Sequence, residues 1–136
     1  MPYLLDTNIL SELRRGQRCD PKVVEWAQST AGDRHCISVL ALGEIRKGIE
    51  NLRRKSPQQC PVFESWLLTL QIEYEADILP ITDRISDQFG HIMAQQTLPV
   101  IDGLLAATAL THGLTVATRN VADFKHSGVN LVDPFS

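Results

Sequence analysis

This chain has little that would staple it, anchor it or address it. Its only cysteines are Cys19, Cys36 and Cys60. An odd count at wide spacing argues against a disulfide framework and offers no close metal-type cluster. No apolar run approaches the roughly 20 residues that cross a bilayer. No basic-then-apolar leader is visible either, because the segment from Pro2 to Leu5 runs directly into Asp6. The histidines His35, His91, His112 and His126 show no ligand pairing. Net charge is -3, so there is no global basic signal for nucleic acid. A local basic surface can still steer such a partner. These absences predict reduced thiols, no membrane association and a cytoplasmic location.

What is present is an ordinary globular composition, 43% hydrophobic and 21% charged over 136 residues. That length predicts one domain, spanning residues 1–136, with a core that needs no staples. Short apolar runs at Tyr3-Leu4-Leu5, His35-Cys36-Ile37, Ile78-Leu79, Leu114-Thr115-Val116-Ala117 and Asn130-Leu131-Val132 read as strands. Between them lie amphipathic helices. Thr7 or Asn8 is expected to cap the first, Asp20-Pro21 opens the second, and Ser38 and Thr82 open later ones. The polar stretch from Asn51 to Gln59 reads as a loop or a frayed helix end. Ile101 to Thr111 is almost wholly apolar and should be a central helix, closed by Gly113. Strands alternating with helices predict an α/β fold, a short central parallel sheet flanked by helices. Sites in such sheets form beyond the carboxyl ends of the strands.

Acids stand at informative places in that pattern. Asp6 ends the first strand, and Asp123 lies shortly after the strand at Thr115-Ala117. Asp102 opens the apolar helix, and Glu44 lies on the helix after the second strand. Taken singly, Asp102 is explained as a cap, Glu44 as a solvated helix position and Asp123 as a loop acid. Asp6 is harder to dismiss, because a strand-end acid in so apolar a context needs a partner. Two such charges 4 Å apart repel by about 1 kcal/mol in water and about 4 kcal/mol at an effective dielectric of 20. A cluster of them persists by holding a divalent cation, by raising some pKa values, or both. Oxygen-only donors favour Mg²⁺ or Mn²⁺ over zinc. Asp20, Asp83, Asp87 and Asp133 have local structural explanations and are set aside.

The residues that carry these acids resemble the PIN-domain ribonucleases, most closely the VapC-type toxins of toxin–antitoxin pairs. The matching pieces are Leu5-Asp6-Thr7-Asn8-Ile9-Leu10-Ser11-Glu12 and Ser38-Val39-Leu40-Ala41-Leu42-Gly43-Glu44-Ile45-Arg46-Lys47-Gly48. Asp102-Gly103-Leu104-Leu105-Ala106-Ala107-Thr108-Ala109 and the segment from Leu114 to Phe124 continue them in the family's order. The resemblance implies a metal-dependent endoribonuclease using Mg²⁺, with Mn²⁺ the alternative, as one or two ions. It makes Asp6, Glu44, Asp102 and Asp123 the catalytic and metal-holding set, with Asp6 and Asp102 as direct ligands. Some relatives place the fourth acid where Asn120 stands, so here Asp123 must supply it, with Asn120 as a hydrogen-bond partner. Thr7, Asn8, Ser38 and Thr118 become groups that orient carboxylates or water, and Arg119 a substrate contact. The implied partners are RNA, a cognate antitoxin and a second copy in a homodimer.

Other expectations accompany this reading. Arg46, Lys47, Arg53, Arg54 and Lys55 concentrate positive charge and are candidates for RNA phosphates, against the plainer view of a solvated face. Trp26 and Trp66 are expected to pack in the core, and Leu10, Leu13 and Trp26, if partly exposed, to line an antitoxin groove. Two other classes compete. A phosphatase or phosphotransferase with Asp6 as nucleophile would want a second acid two residues on, where Asn8 stands. A non-catalytic RNA-binding domain on the same fold would have no need of the acid set.

Overall fold

The computed structural model describes residues 1–136. Five strands form one all-parallel sheet: β1 (Tyr3–Leu5), β2 (His35–Ser38), β3 (Ile78–Leu79), β4 (Thr115–Ala117) and β5 (Asn130–Val132). Their spatial order is β3-β2-β1-β4-β5. The first strand is therefore central. Leu4 pairs with Cys36 on one side and with Val116 on the other. Chain order runs outward from β1 in both directions, which makes the β1/β4 boundary the topological switch point, where α/β sheets open a crevice.

Alternation along these short strands divides the core in two. Leu4, Cys36 and Val116 face one side, packing with Ile85 and Ile92 of α5 (Asp83–Gln95), Leu105 and Ala106 of α6 (Val100–His112) and Phe124 of α7 (Val121–Phe124). Leu5, Ile37 and Ala117 face the other. There they meet Ile9 and Leu10 of α1 (Thr7–Leu13), Ile45 and Ile49 of α3 (Val39–Lys55), and Leu67 and Leu70 of α4 (Cys60–Glu73). The helix α2 (Pro21–Ser29) lies beside α1 and buries Val23. The cysteines are all unpaired and buried, and no helix is long and apolar enough to cross a membrane.

Most expected boundaries hold, and three differ for physical reasons. Asp6 itself caps α1, its Oδ1 accepting the Thr7 N–H at 2.8 Å, whereas Thr7 and Asn8 were the expected caps. Helix α3 continues through Asn51 to Lys55, where a loop was expected. Arg53, Arg54 and Lys55 in its last turn favour the negative helix end, and a single 3₁₀ turn at Pro57–Gln59 leads into α4. Finally, α7 is a one-turn helix with no sequence periodicity to announce it, held by the fully buried Phe124.

Helix α6 is as central as its composition demands, with Leu105 to Ala109 all buried. Gly113 closes it in the left-handed region at φ 67°. Near its other end, Gly103 lets α5 approach. A Cβ there would stand 2.9 Å from Met93 Sδ and 3.0 Å from Phe89 Cε1. That glycine thereby sets the position of its neighbour, Asp102.

Candidate active site

Asp6 sits at the switch point and is only 8% exposed. Because it ends β1 and begins α1, its backbone N–H donates to Ala117 O at the end of β4 while its side chain caps the helix. Both oxygens are engaged. Oδ1 takes the Thr7 N–H, and Oδ2 takes the Thr118 hydroxyl at 2.8 Å and Asn8 Nδ2 at 3.4 Å. An aspartate held this way is poorly placed as a free nucleophile, which weakens the phosphotransferase alternative.

Thr118 is fully buried just beyond β4 and joins the two sides of the crevice. Its hydroxyl donates to Asp6 and accepts from Asn120 N at 3.0 Å and Asn8 Nδ2 at 3.4 Å. Asn8 Oδ1 in turn accepts the Arg119 N–H at 3.2 Å. Thr7 Oγ1 donates to Glu44 Oε1 at 2.8 Å, tying the α3 acid to the α1 start. Three of the expected orienting residues, Thr7, Asn8 and Thr118, thus belong to one network, which Asn120 joins through its backbone N–H.

Two details depart from expectation. Ser38 caps α3, its Oγ accepting the Leu40 N–H at 3.0 Å, and meets no carboxylate. Asn120 touches Asp123 only through the backbone, with the Asp123 N–H donating to Asn120 O at 3.0 Å. The turn that starts α7 fixes that bond, so the amide side chain is left out.

The remaining acids converge electrostatically. Asp102, half-buried in the first turn of α6, has its carboxyl pushed up to about 6. Burial contributes most, followed by the negative charges of Asp6, Asp123 and Glu44. Asp6 is also raised, chiefly by burial and further by Asp123, while the Thr118 and Thr7 hydrogen bonds pull it down. Glu44 and Asp123 are exposed, and Asp123 rides on the first turn of α7. No three acid, histidine or cysteine side chains form a ready-made ligand cluster. Asp6 and Glu44 are tied by hydrogen bonds to Thr7 and Thr118, and Asp102 feels the charges of Asp6, Asp123 and Glu44. An all-oxygen set whose charges raise one another's pKa fits a hard divalent cation, which would relieve the cost of gathering them.

The rest of the neighbourhood revises the basic and apolar expectations. Arg46 and Arg53 do not stand free for phosphates: both bridge to Glu50 and Glu64, with Arg46 Nη1 2.5 Å and Arg53 Nη2 2.8 Å from Glu64 Oε1, binding α3 to α4. Leu10 is buried and drops out of the expected groove, whereas Leu13 and Trp26 are half-buried, Trp26 stacking on His35 with ring centroids 5.4 Å apart. Trp66 packs against the core cluster as expected, and its half-buried ring also lines the cleft beside Thr7 together with Phe63, Arg14 and Arg119. The signal for that was available: Phe63 and Trp66 lie i,i+3 on α4, next to the buried pair Leu67 and Leu70. Glu12, on the inner side of α1, has a structural role. This buried acid accepts the Asp20 N–H at 2.8 Å and Arg15 Nη1 at 3.3 Å, fastening the start of α2 to α1.

Comparison with known proteins agrees with this geometry. The family model described as PIN domain matches residues 3–128. The chain is 28% identical to VapC ribonuclease Y4jK of Sinorhizobium fredii, over 97% of its own length and 96% of the relative's. It is 30% identical to Toxin FitB of Neisseria gonorrhoeae, over 97% of each protein. The crystal structure of FitAcB from Neisseria gonorrhoeae superposes with a TM-score of 0.86 at 29% identity, covering 98% of both chains. With this family match and these relatives, the chain belongs to the PIN-domain family, among its VapC-type members.

Proposed function

We propose that this protein is a metal-dependent endoribonuclease that serves as the toxin of a toxin–antitoxin pair. The observation that carries the reading is the accumulation of negative charge at the switch point, where burial and the charges of Asp6, Asp123 and Glu44 lift the Asp102 carboxyl to about 6. The names of the relatives support the activity, as does a FitAB complex bound to DNA with a TM-score of 0.79 at 29% identity, which supports an antitoxin partner.

In this reading Asp6 and Asp102 hold the cation directly, and Glu44 and Asp123 complete its surroundings. When bound, Mg²⁺ or Mn²⁺ would lower the pKa of water to make a nucleophile and neutralise charge developing on a phosphodiester. The chain's own residues set the stage for that. Thr118 and the Thr7 N–H fix the two Asp6 oxygens, leaving the carboxylate one orientation. The Thr7 hydroxyl restrains Glu44, which is otherwise free on the surface of α3. Asn8 links the Asp6 side to the Arg119 backbone, so the loop after β4 cannot move without disturbing Asp6. Such hydrogen-bonded support typically changes metal affinity or activity by about 10–100-fold.

Mg²⁺- or Mn²⁺-dependent cleavage of RNA by the purified protein tests the proposal, against Asp6→Asn and Asp102→Asn. Cleavage should require the cation and fall at least 100-fold in both variants. Equal cleavage by all three proteins would mean contamination and remove the mechanism.

A further inference from the structure

We infer that the cleft beside the acids is a nucleobase subsite, in which an unpaired base of the RNA stacks at Trp66 while Arg14 and Arg119 take the flanking phosphates. This rests on the nuclease reading and gives it a place for the strand next to the reacting phosphate. The cleft has a volume of about 570 Å³, within the range of roughly 300–1,000 Å³ usual for small-molecule sites. Its lining combines arginine–aromatic pairs with Thr7, Asn8, Ser11 and the Glu12–Arg15 ion pair. Arg14 lies over the Phe63 ring at 4.4 Å and near the Trp66 ring at 5.6 Å, and Arg119 lies over Phe135 at 4.5 Å.

Charge selects the occupant. Arg15, which also lines the cleft, is paired with Glu12, whereas Arg14 and Arg119, like Arg18, Arg54 and Arg84 elsewhere, bridge to no carboxylate. A guanidinium resting on an aromatic face keeps its N–H edge available, and that fork matches a phosphate. A base entering the cleft meets an indole or a guanidinium plane, and unpaired bases stack on both. Two arginines free of carboxylates and lining the same cleft suit a polyanion. Continuity points the same way. Thr7 lines this cleft and also bonds Glu44, so a strand lying in the cleft leads directly to the acids.

The test uses Trp66 as its own reporter. Trp26→Phe leaves Trp66 the sole tryptophan, and adding Asp102→Asn suppresses cleavage. With Mg²⁺ present, a short single-stranded RNA should quench Trp66 saturably, and an abasic strand of equal length should not. By anisotropy of labelled RNA, Trp66→Ala should weaken binding roughly tenfold. Trp66→Phe should keep most of the affinity, as stacking requires and a purely structural loss would not. Arg14→Ala should weaken RNA and abasic strand alike. Unchanged Trp66 emission at RNA saturation overturns the subsite while cleavage by the parent protein leaves the nuclease reading standing. Quenching by a protein partner but not by RNA assigns the cleft to that partner and also overturns it. If the parent protein neither binds nor cleaves RNA, both readings fall.

Discussion

The Thr118 hydroxyl offers the sharpest measurement of how the site is held. Replacing it with valine keeps the buried shape and removes only the oxygen. Asp6 Oδ2 then loses its 2.8 Å donor and retains Asn8 at 3.4 Å, while the Asn120 N–H loses its acceptor. A hydrogen bond to a charged group contributes about 1.5–3 kcal/mol, and an orphaned donor adds a further cost of order 1 kcal/mol when water cannot reach it. Thr118→Val should therefore destabilise the metal-free protein by about 2–3 kcal/mol, lowering Tm by roughly 6–10 °C at this chain length. The assay is urea and thermal unfolding in chelator, repeated in the Asp6→Asn background. The double-mutant cycle should return a coupling energy above about 1 kcal/mol, because the two groups share one bond. Thr118→Ser should recover most of the loss. A wild-type Tm for Thr118→Val, or effects of the two substitutions that simply add, would refute the claim that this hydroxyl restrains Asp6.

Asp102 gives a pH signature. Its raised folded pKa means the stability conferred by the neutral acid is full below about pH 4 and lost as pH rises through about 6. Metal-free wild type should thus lose stability relative to Asp102→Asn between those values, and parallel melting profiles for the two proteins would contradict it. Gly103→Ala should cost about 1–3 kcal/mol by forcing Met93 and Phe89 away, and should impair RNA cleavage by moving the adjacent Asp102. Unaltered Tm and activity would show that α5 yields without strain. Arg46→Ala should change stability little despite its short contact with Glu64, because the bridge is exposed and screened. Denaturant titration in high salt should shrink even that difference.

The fold was legible wherever local chemistry and tertiary demand agreed. The apolar run of α6, the closing Gly113 and the Ser38 cap each state their role in a few residues. Legibility failed where a long-range contact overrode local preference. Asp6 displaced Thr7 and Asn8 as cap because the β1–α1 junction lies against β4. No local pattern marks α7, which exists because Phe124 has a core to enter. The four acids could be named because their positions match the family's, but their hydrogen bonds, above all Thr118 to Asp6, depend on a sheet order that the strands do not write individually. Within the basic run on α3, Arg46 and Arg53 looked available for RNA because Glu64, which they bridge, lies on a different helix. Trp66 packs as its spacing indicates, but its second role at the cleft was not legible, because helical spacing shows that a residue shares a stripe without showing how far that stripe is covered.

The central position of β1 governs when this protein can act during its own synthesis. The hydrogen bond from Thr118 to Asp6 joins residues 112 apart in sequence. The strand that bears Asp6 leaves the ribosome first, yet its partner β4 emerges nearly last. Such distant pairing is slow to form and cannot precede the arrival of its second half. A growing chain therefore carries three of its four acids without the scaffold that fixes the first of them. Topology works here as a timer, and a nascent chain stopped before β4 should be inert toward the RNA of the ribosome making it.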